Sequence, residues 1–390
     1  MDVRERLLGQ EGEDDPYPGY ARLRREDPVC RVPLREGVDC CVISRYEDAR
    51  AALADPRLSR DPRAALPAWR EADRGRPVED GAGLGEHLLT REPPEHTRLR
   101  RLVADAFTAR RAQAMRPYVQ EVADSLIDAI GSRGEAELVT EFAYPLAITV
   151  ISEILGIPEA DRDYFRHWTS AGRPAAPAAA EAAQPAADMA PSPSEYLDAL
   201  LAAKRQSPAE DLTSKLVAAA GQGAISETEL RSMVCLLLIA GHEGTIGLIG
   251  NGVIALLDHP DQRALLDQRP ELWDAAVAEM LRYDGPMELA AWRFATEPVT
   301  IGAADVPAGT PVVIALAAAH RDPGQFDDPD RFDITRAGNA HLGFGHGVHY
   351  CVGAPLGRFE GHIALRTLFH RLPDLALAES LPKEETKWQL

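Results

Sequence analysis

HLGFGHGVHYCVGAPLGRFEG, His341 to Gly361, is the stretch on which the reading of this 390-residue chain turns. Its centre is Cys351. Gly343, Gly345 and Gly347 alternate ahead of the cysteine, where a backbone free of Cβ atoms can take positive φ and lie close against another group. Such a loop suits a large flat ligand. Beyond the cysteine, Gly353 and Ala354 lead into Pro355, a residue favoured in a first helical turn, and the apolar positions Leu356, Phe359, Ile363, Leu365 and Leu368 predict a helix. Cys351 therefore precedes a helix N-terminus, whose free N–H groups and positive dipole end favour an anionic sulfur and lower a thiol pKa. The chemistry to explain is a thiolate metal ligand.

A lone cysteine is more often a small buried hydrophobe, but glycines before it and a helix behind it favour a ligand. Zinc is the rival metal, since His346, His349 and Cys351 are ligand types it accepts. The three lie within six residues with no second cysteine near. Structural zinc sites draw ligand pairs from separate segments, so zinc is the minor alternative.

FGHGVHYCVG, followed by Leu356 and Arg358, resembles the haem-binding loop of the cytochrome P450 family, in its soluble bacterial branch. The resemblance implies that Cys351 is the thiolate ligand of haem iron, with Phe344, Gly345, His349 and Gly353 in the cofactor-binding loop. It also implies a mainly α fold with small β-sheets, formed as a single large domain over residues 1–390. The implied cofactor is haem b, with dioxygen as co-substrate. Electrons would come from NAD(P)H through a ferredoxin reductase and a ferredoxin. Gly357 departs from the family's usual alanine, a change that costs some helix stability and little chemistry.

Composition agrees with one compact domain, because neither a repeat nor a linker divides the chain. The longest apolar run, Met233 to Ala240, is too short to span a bilayer, and MDVRERLLG at the start lacks a secretory pattern. A monomeric cytoplasmic protein without membrane attachment is expected. Five cysteines without framework spacing read as reduced thiols, the adjacent Cys40 and Cys41 as packing residues in a strand. A net charge of −19 argues against nucleic-acid binding. Between His96 and Arg111 lie five arginines, suited either to an acidic protein partner or to a solvated helix face.

Outward from the cysteine loop, the resemblance assigns roles in chain order. Residues 55–94, rich in Pro, Gly, Arg and Glu, read as a long loop region; it corresponds to the family's B–C segment beside the substrate, with Leu88 in the pocket. His96 and Arg100 lie four apart on one helical face, as two cationic donors for an anion would, and match haem-propionate ligands. Residues 172–193 alternate alanine with proline and correspond to the F–G lid, expected to be mobile. Ser226 and Glu229 form a capping-box pattern, and with no proline before Pro260 one helix from 227 to 257 is expected, roughly 45 Å long. It resembles the family's I helix, with Ala240 and Gly241 against the haem. His242 reads as a packing or surface residue.

Within that helix the family places an acid directly before a threonine, and the pair relays protons to bound oxygen. Here Glu243 matches the acid, but Gly244 occupies the threonine position, and Thr245 lies one residue on, about 100° around the helix. Ordered water or a substrate hydroxyl would then carry protons, with Glu243 as gate. Glu279 and Arg282, at i and i+3, match the family's buried structural pair, completed by Arg331 from DDPDRFD. Met287, Leu289, Ala290 and Ala291 would pass the haem into the pocket beside Ala240 and Gly244. Arg293 matches another propionate ligand. Val299 to Ile301 and Pro311 to Ala315 read as a hairpin turning at Pro307 to Gly309.

The implied reaction is hydroxylation or epoxidation of a small organic molecule, in secondary-metabolite biosynthesis. The alternative, motivated by Gly244, is oxidative ring closure or C–C, C–S or C–N coupling at the same haem. A haem-binding sensor or carrier without turnover is the reading from another class.

Overall fold

The computed structural model describes residues 15–33, 38–71, 86–162, 165 and 192–378. Helices dominate. They are α1 (Tyr17–Glu26), α2 (Tyr46–Ala54), α3 (Pro67–Glu71), α4 (Glu95–Val103), α5 (Ala109–Ala114), α6 (Arg116–Gly131), α7 (Tyr144–Leu155), α8 (Pro193–Gln206), α9 (Leu212–Gly221), α10 (Glu227–Ala240), α11 (Glu243–Asp258), α12 (Pro260–Gln268), α13 (Trp273–Tyr283), α14 (Leu316–His320) and α15 (Ala354–Arg371). The strands are β1 (Val29–Pro33), β2 (Asp39–Ile43), β3 (Leu58–Ser59), β4 (Arg293–Ala295), β5 (Val299–Ile301), β6 (Ala304–Val306) and β7 (Pro311–Ile314). One sheet has the order β1-β2-β7-β4-β3, with β2 and β7 parallel. The other is the pair β5-β6.

The larger apolar core lies among the helices, around α7, α10, α11, α13 and α15. A second cluster covers the sheet through Ile43, Leu58, Val312 and Ile314. Helices α11 and α15 cross closely because each presents a glycine to the other's leucine. A Cβ on Gly252 would stand 2.9 Å from Leu365, and one on Gly361 would overlap Leu248 at 2.6 Å. The stretch Glu227–Asp258 has the length and mean hydropathy, 1.7, of a membrane span, yet 67% of its most apolar window is buried inside this core.

Four expectations change. The single helix over 227–257 is two helices, α10 and α11, separated at Gly241 and His242. The expected hairpin is replaced. Gly302, at φ 56°, turns β5 onto β6, while the wholly buried apolar run Pro311–Ile314 joins the larger sheet between β2 and β4. Residues 55–94 are not wholly irregular. They contain β3 and α3, whose Trp69 packs edge-on to Phe294 at 4.5 Å, and residues 72–85 lie outside the described residues. Of the expected 172–193 lid, residues 172–191 also lie outside them. Pro193, read as an interruption, starts α8 instead: Ser192 and Glu195 form a capping box, and proline in a first turn forfeits no hydrogen bond. Cys40 and Cys41 point to opposite faces of β2, both buried, and burial pushes both thiols up to about 12, so they pack and do not react.

Candidate active site

The cysteine loop is built by its glycines. Gly345 and Gly347 take φ 74° and 77°, where a side chain is strained. At Gly347 a Cβ would also strike the Ala54 backbone at 2.9 Å, so the loop docks on the end of α2 through glycine alone. The Gly345 amide donates to the Leu342 carbonyl at 2.7 Å and the Cys351 amide to the Phe344 carbonyl at 2.9 Å, which closes the loop on itself. Gly353 caps α15, placing Cys351 just ahead of that helix. The expected drop in thiol pKa does not follow. Burial raises it, against the opposing pull of the Gly353 and Ala354 backbone and of Arg100 and Arg358. The side chain is nonetheless open on one side, since Cys351 is exposed. A coordinated metal ion deprotonates a thiol outright, so the raised value belongs to the free sulfur and leaves ligation open.

The loop is held from behind by a buried ionic network. Glu279 and Arg282 form a two-pronged pair at 2.8 Å and 2.8 Å, both side chains almost wholly inaccessible. The third member is a correction. Arg336, not Arg331, reaches Glu279, at 3.2 Å, joined by the Asn339 amide at 2.9 Å. Arg331 is exposed and contributes its carbonyl, which accepts from Arg282 and Arg336. The turn after Phe332 swings the later arginine inward, and residue spacing does not reveal that. Arg282 also donates to the His320 carbonyl at 2.8 Å, and His320 Nε2 accepts from the Leu342 amide at 2.8 Å. The network thus reaches the first residues of the cysteine loop.

On one side of the loop the structure gathers histidines and arginines. His96 is 1% exposed, and among the described residues neither ring nitrogen has a hydrogen-bond partner. Arg293 is buried too; its Nη1 donates to the Leu58 carbonyl at 3.1 Å, its Nε has no partner among the described residues, and burial lowers its pKa to about 9. His349 lies edge-on to His96 at 4.5 Å and shares a 3.1 Å hydrogen bond with Glu92. Arg100 approaches the Val348 carbonyl at 3.5 Å. The sequence reading missed Arg60, buried on the same cluster, whose charge helps depress His96, His349 and Arg293. Buried donors without acceptors are costly, and this cluster suits a ligand bearing carboxylates, as a haem does through its propionates. His349, turned to Glu92 and His96, is not arranged with His346 and Cys351 as a zinc site. Among the described residues no group of His, Cys, Asp and Glu is placed to hold a metal ion by itself.

Helices α10 and α11 are interrupted at Gly241 and His242. Ala240 is exposed although residues 232–238 before it are all buried, and among the described residues nothing stands within 4 Å of a Cβ built on Gly244. These two residues, one turn apart, therefore face open space. Met287, Leu289, Ala290 and Ala291 are half-buried beyond β7, with the Ala290 amide donating to the Ile314 carbonyl at 2.8 Å. Leu88 is buried, and its amide meets the Met233 sulfur. Thr245 does not replace the missing hydroxyl at 244. It is buried and turned to α15, its Oγ1 3.9 Å from a Cβ built on Gly357.

There it meets Glu360, a second residue that the sequence reading missed. Glu360 is 0% exposed, and neither carboxyl oxygen has a hydrogen bond of normal geometry among the described residues. Burial pushes its pKa up to about 8, with Thr245 the one group pulling it down. Burial thus favours its protonated form. The sequence did carry a trace of it, because an acid at 360 shares the apolar face of α15 with Leu356 and Ile363.

A cysteine open to solvent on one side, a cluster of buried histidines and arginines with unsatisfied polar atoms beside it and a helix break define the site of a haem-thiolate enzyme. Comparison with known proteins agrees. Residues 178–384 match the family model described as Cytochrome P450. The chain is 49% identical over 375 residues to the cytochrome P450 monooxygenase PikC of Streptomyces venezuelae, covering 95% of this chain and 87% of that protein. It is 42% identical over 373 residues to the mycinamicin IV hydroxylase/epoxidase of Micromonospora griseorubida, covering 95% and 90%. Among solved structures, the P450 enzyme CxnD, described as acting in C–S bond formation in chuangxinmycin biosynthesis, superposes with a TM-score of 0.84 at 36% identity, covering 99% of this chain and 92% of that one. The chain belongs to the cytochrome P450 family and is a monooxygenase that works with haem-thiolate, dioxygen, redox partners and a small-molecule substrate.

Proposed function

We propose that this protein hydroxylates or epoxidises a small organic molecule in bacterial secondary metabolism, with haem b held by Cys351. The observation that carries the reading is that, among the described residues, neither ring nitrogen of buried His96 has a partner, with buried Arg293 sharing its neighbours Arg60 and Glu92. His96, Arg100, Arg293, His349 and Arg60 would hold the propionates, and Phe344, Gly345 and Gly353 would frame the sulfur. When bound, the haem supplies dioxygen activation and oxygen transfer to the substrate.

The chain's own residues do the rest. Ala240, Gly241 and Gly244 leave space over the cofactor, and Leu88, Met287, Leu289, Ala290 and Ala291 shape the substrate pocket. Glu243 gates protons from the outer side of the break. Glu360, whose protonated form burial favours, is a proton reserve on the α15 side, with the Thr245 hydroxyl beside it, from which ordered water would resupply the site. Glu279, Arg282 and Arg336 hold the loop without touching substrate.

Electrons arrive from NAD(P)H through a ferredoxin reductase and a ferredoxin. The exposed Arg101, Arg110 and Arg111 offer positive charge to an acidic partner. Arg98 is no part of that patch, being ion-paired to Glu229. A cytoplasmic monomer composed of one domain fits this role. Oxidative C–S or related coupling is the second reading, favoured by Gly244 and by the similarity to CxnD.

Reduction of the purified protein with dithionite under carbon monoxide tests the central claim. A strongly red-shifted Soret band, absent in Cys351→Ser, is expected. A zinc-loaded protein without that band would overturn it.

A further inference from the structure

We infer that His242 is a positioning residue that keeps the helix break open, by donating a side-chain hydrogen bond to the carbonyl that the backbone has abandoned. In an unbroken helix the residue 242 amide would bond the Leu238 carbonyl. Here that amide reaches only the Ile239 carbonyl, at 3.4 Å, and regular bonding resumes with the Ile246 amide on the His242 carbonyl at 3.0 Å. The Leu238 carbonyl is taken instead by His242 Nδ1 at 2.7 Å. A carbonyl only accepts, so Nδ1 carries the proton.

The imidazole is fixed in place. It is 1% exposed and lies edge-on to the Tyr144 ring at 5.6 Å, and burial keeps it neutral, with a pKa near 4. Its neighbour Gly241 presses on α7, where a Cβ would come within 2.5 Å of Ile151. One side of the break is thus sealed against α7, and the other, at Ala240 and Gly244, is open. An unsatisfied buried carbonyl would drive the chain to rewind, because the residue 242 amide is the nearest donor. Rewinding would move Gly244 and narrow the open side. The inference rests on the reading that this open side is where oxygen and substrate meet.

The test compares His242→Leu, His242→Ala and His242→Asn as holoenzymes. Asparagine keeps an N–H donor at the position of Nδ1; the other two remove it. In all three the carbon monoxide band of the reduced protein reports an intact haem site, and its absence in the parent enzyme would refute the haem reading separately. Crystal structures are expected to show the residue 242 amide bonded to the Leu238 carbonyl in the leucine and alanine variants and the break retained with asparagine. Product formed per NADH is expected to fall by about tenfold in the first two, the factor set by losing one buried hydrogen bond, and to stay near the parent value in the third. A leucine or alanine variant that keeps both the break and the coupling overturns the inference. So does an asparagine variant that behaves like leucine. Failure of both donor-less variants to fold beside a folded asparagine variant also overturns it, since the bond would then serve folding alone.

Discussion

Replacing Glu360 by glutamine separates a proton reservoir from a mere packing residue, because the two roles differ in their pH dependence. The folded carboxyl titrates near 8, against an ordinary value of 4.5. Between these values the folded chain keeps a proton that the unfolded chain has released. By linkage, stability from this group is fully present below 4.5 and is lost as pH rises to about 8. At about 1.4 kcal/mol per pH unit, the loss across the window is of order 4–5 kcal/mol. Unfolding entropy of about 2.1 cal/mol/K per residue gives about 0.8 kcal/mol/K for 390 residues, so the penalty corresponds to roughly 5 °C of melting temperature. Glu360→Gln removes the ionisation and keeps the shape. The gap in melting temperature between variant and parent should widen in the variant's favour from pH 5 to pH 9, followed by circular dichroism on the holoproteins. Cancelling common effects, the difference isolates Glu360 from the buried histidines. The same variant should lower product per NADH at pH 7, with a loss of order tenfold or more for a group acting as general acid. Parallel melting curves across this range would refute the claim that Glu360 holds a proton in the folded protein.

Two further outcomes discriminate between residues that sequence alone treats alike. Arg336→Ala should cost about 1.5–3 kcal/mol in urea unfolding, by removing one charged hydrogen bond from a Glu279 that keeps Arg282, whereas the exposed Arg331→Ala should stay within about 0.5 kcal/mol; equal costs would sink the corrected network. Gly244→Thr meets open space and should fold normally, and if the glycine weakens proton control it raises product per NADH; loss of product with normal folding would instead support substrate fit or a radical coupling route.

The cysteine loop was legible because its chemistry is local. Glycines at positive φ, a cysteine and a helix start are all written within twenty-one residues, His341 to Gly361. The same holds for the capping box at Ser226 and Glu229, which marks the start of α10. The family resemblance implied one role for His96, Arg100 and Arg293, and the fold brings them to one cluster although they come from α4 and β4. Arg60 escaped notice because no periodicity distinguishes it from a surface arginine.

The sequence by itself determined the helix-rich architecture, the cysteine and its framing glycines, and the absence of a hydroxyl at 244. Each depends on residues close in the chain. Tertiary structure alone decided that the long helix breaks at Gly241, that Arg336 displaces Arg331 from the Glu279 network, and that Thr245 turns away to the buried Glu360. Those outcomes depend on what packs against each side chain. Burial, which raises a carboxyl pKa or strands a carbonyl, is a property of neighbours distant in the chain, and no local pattern records it.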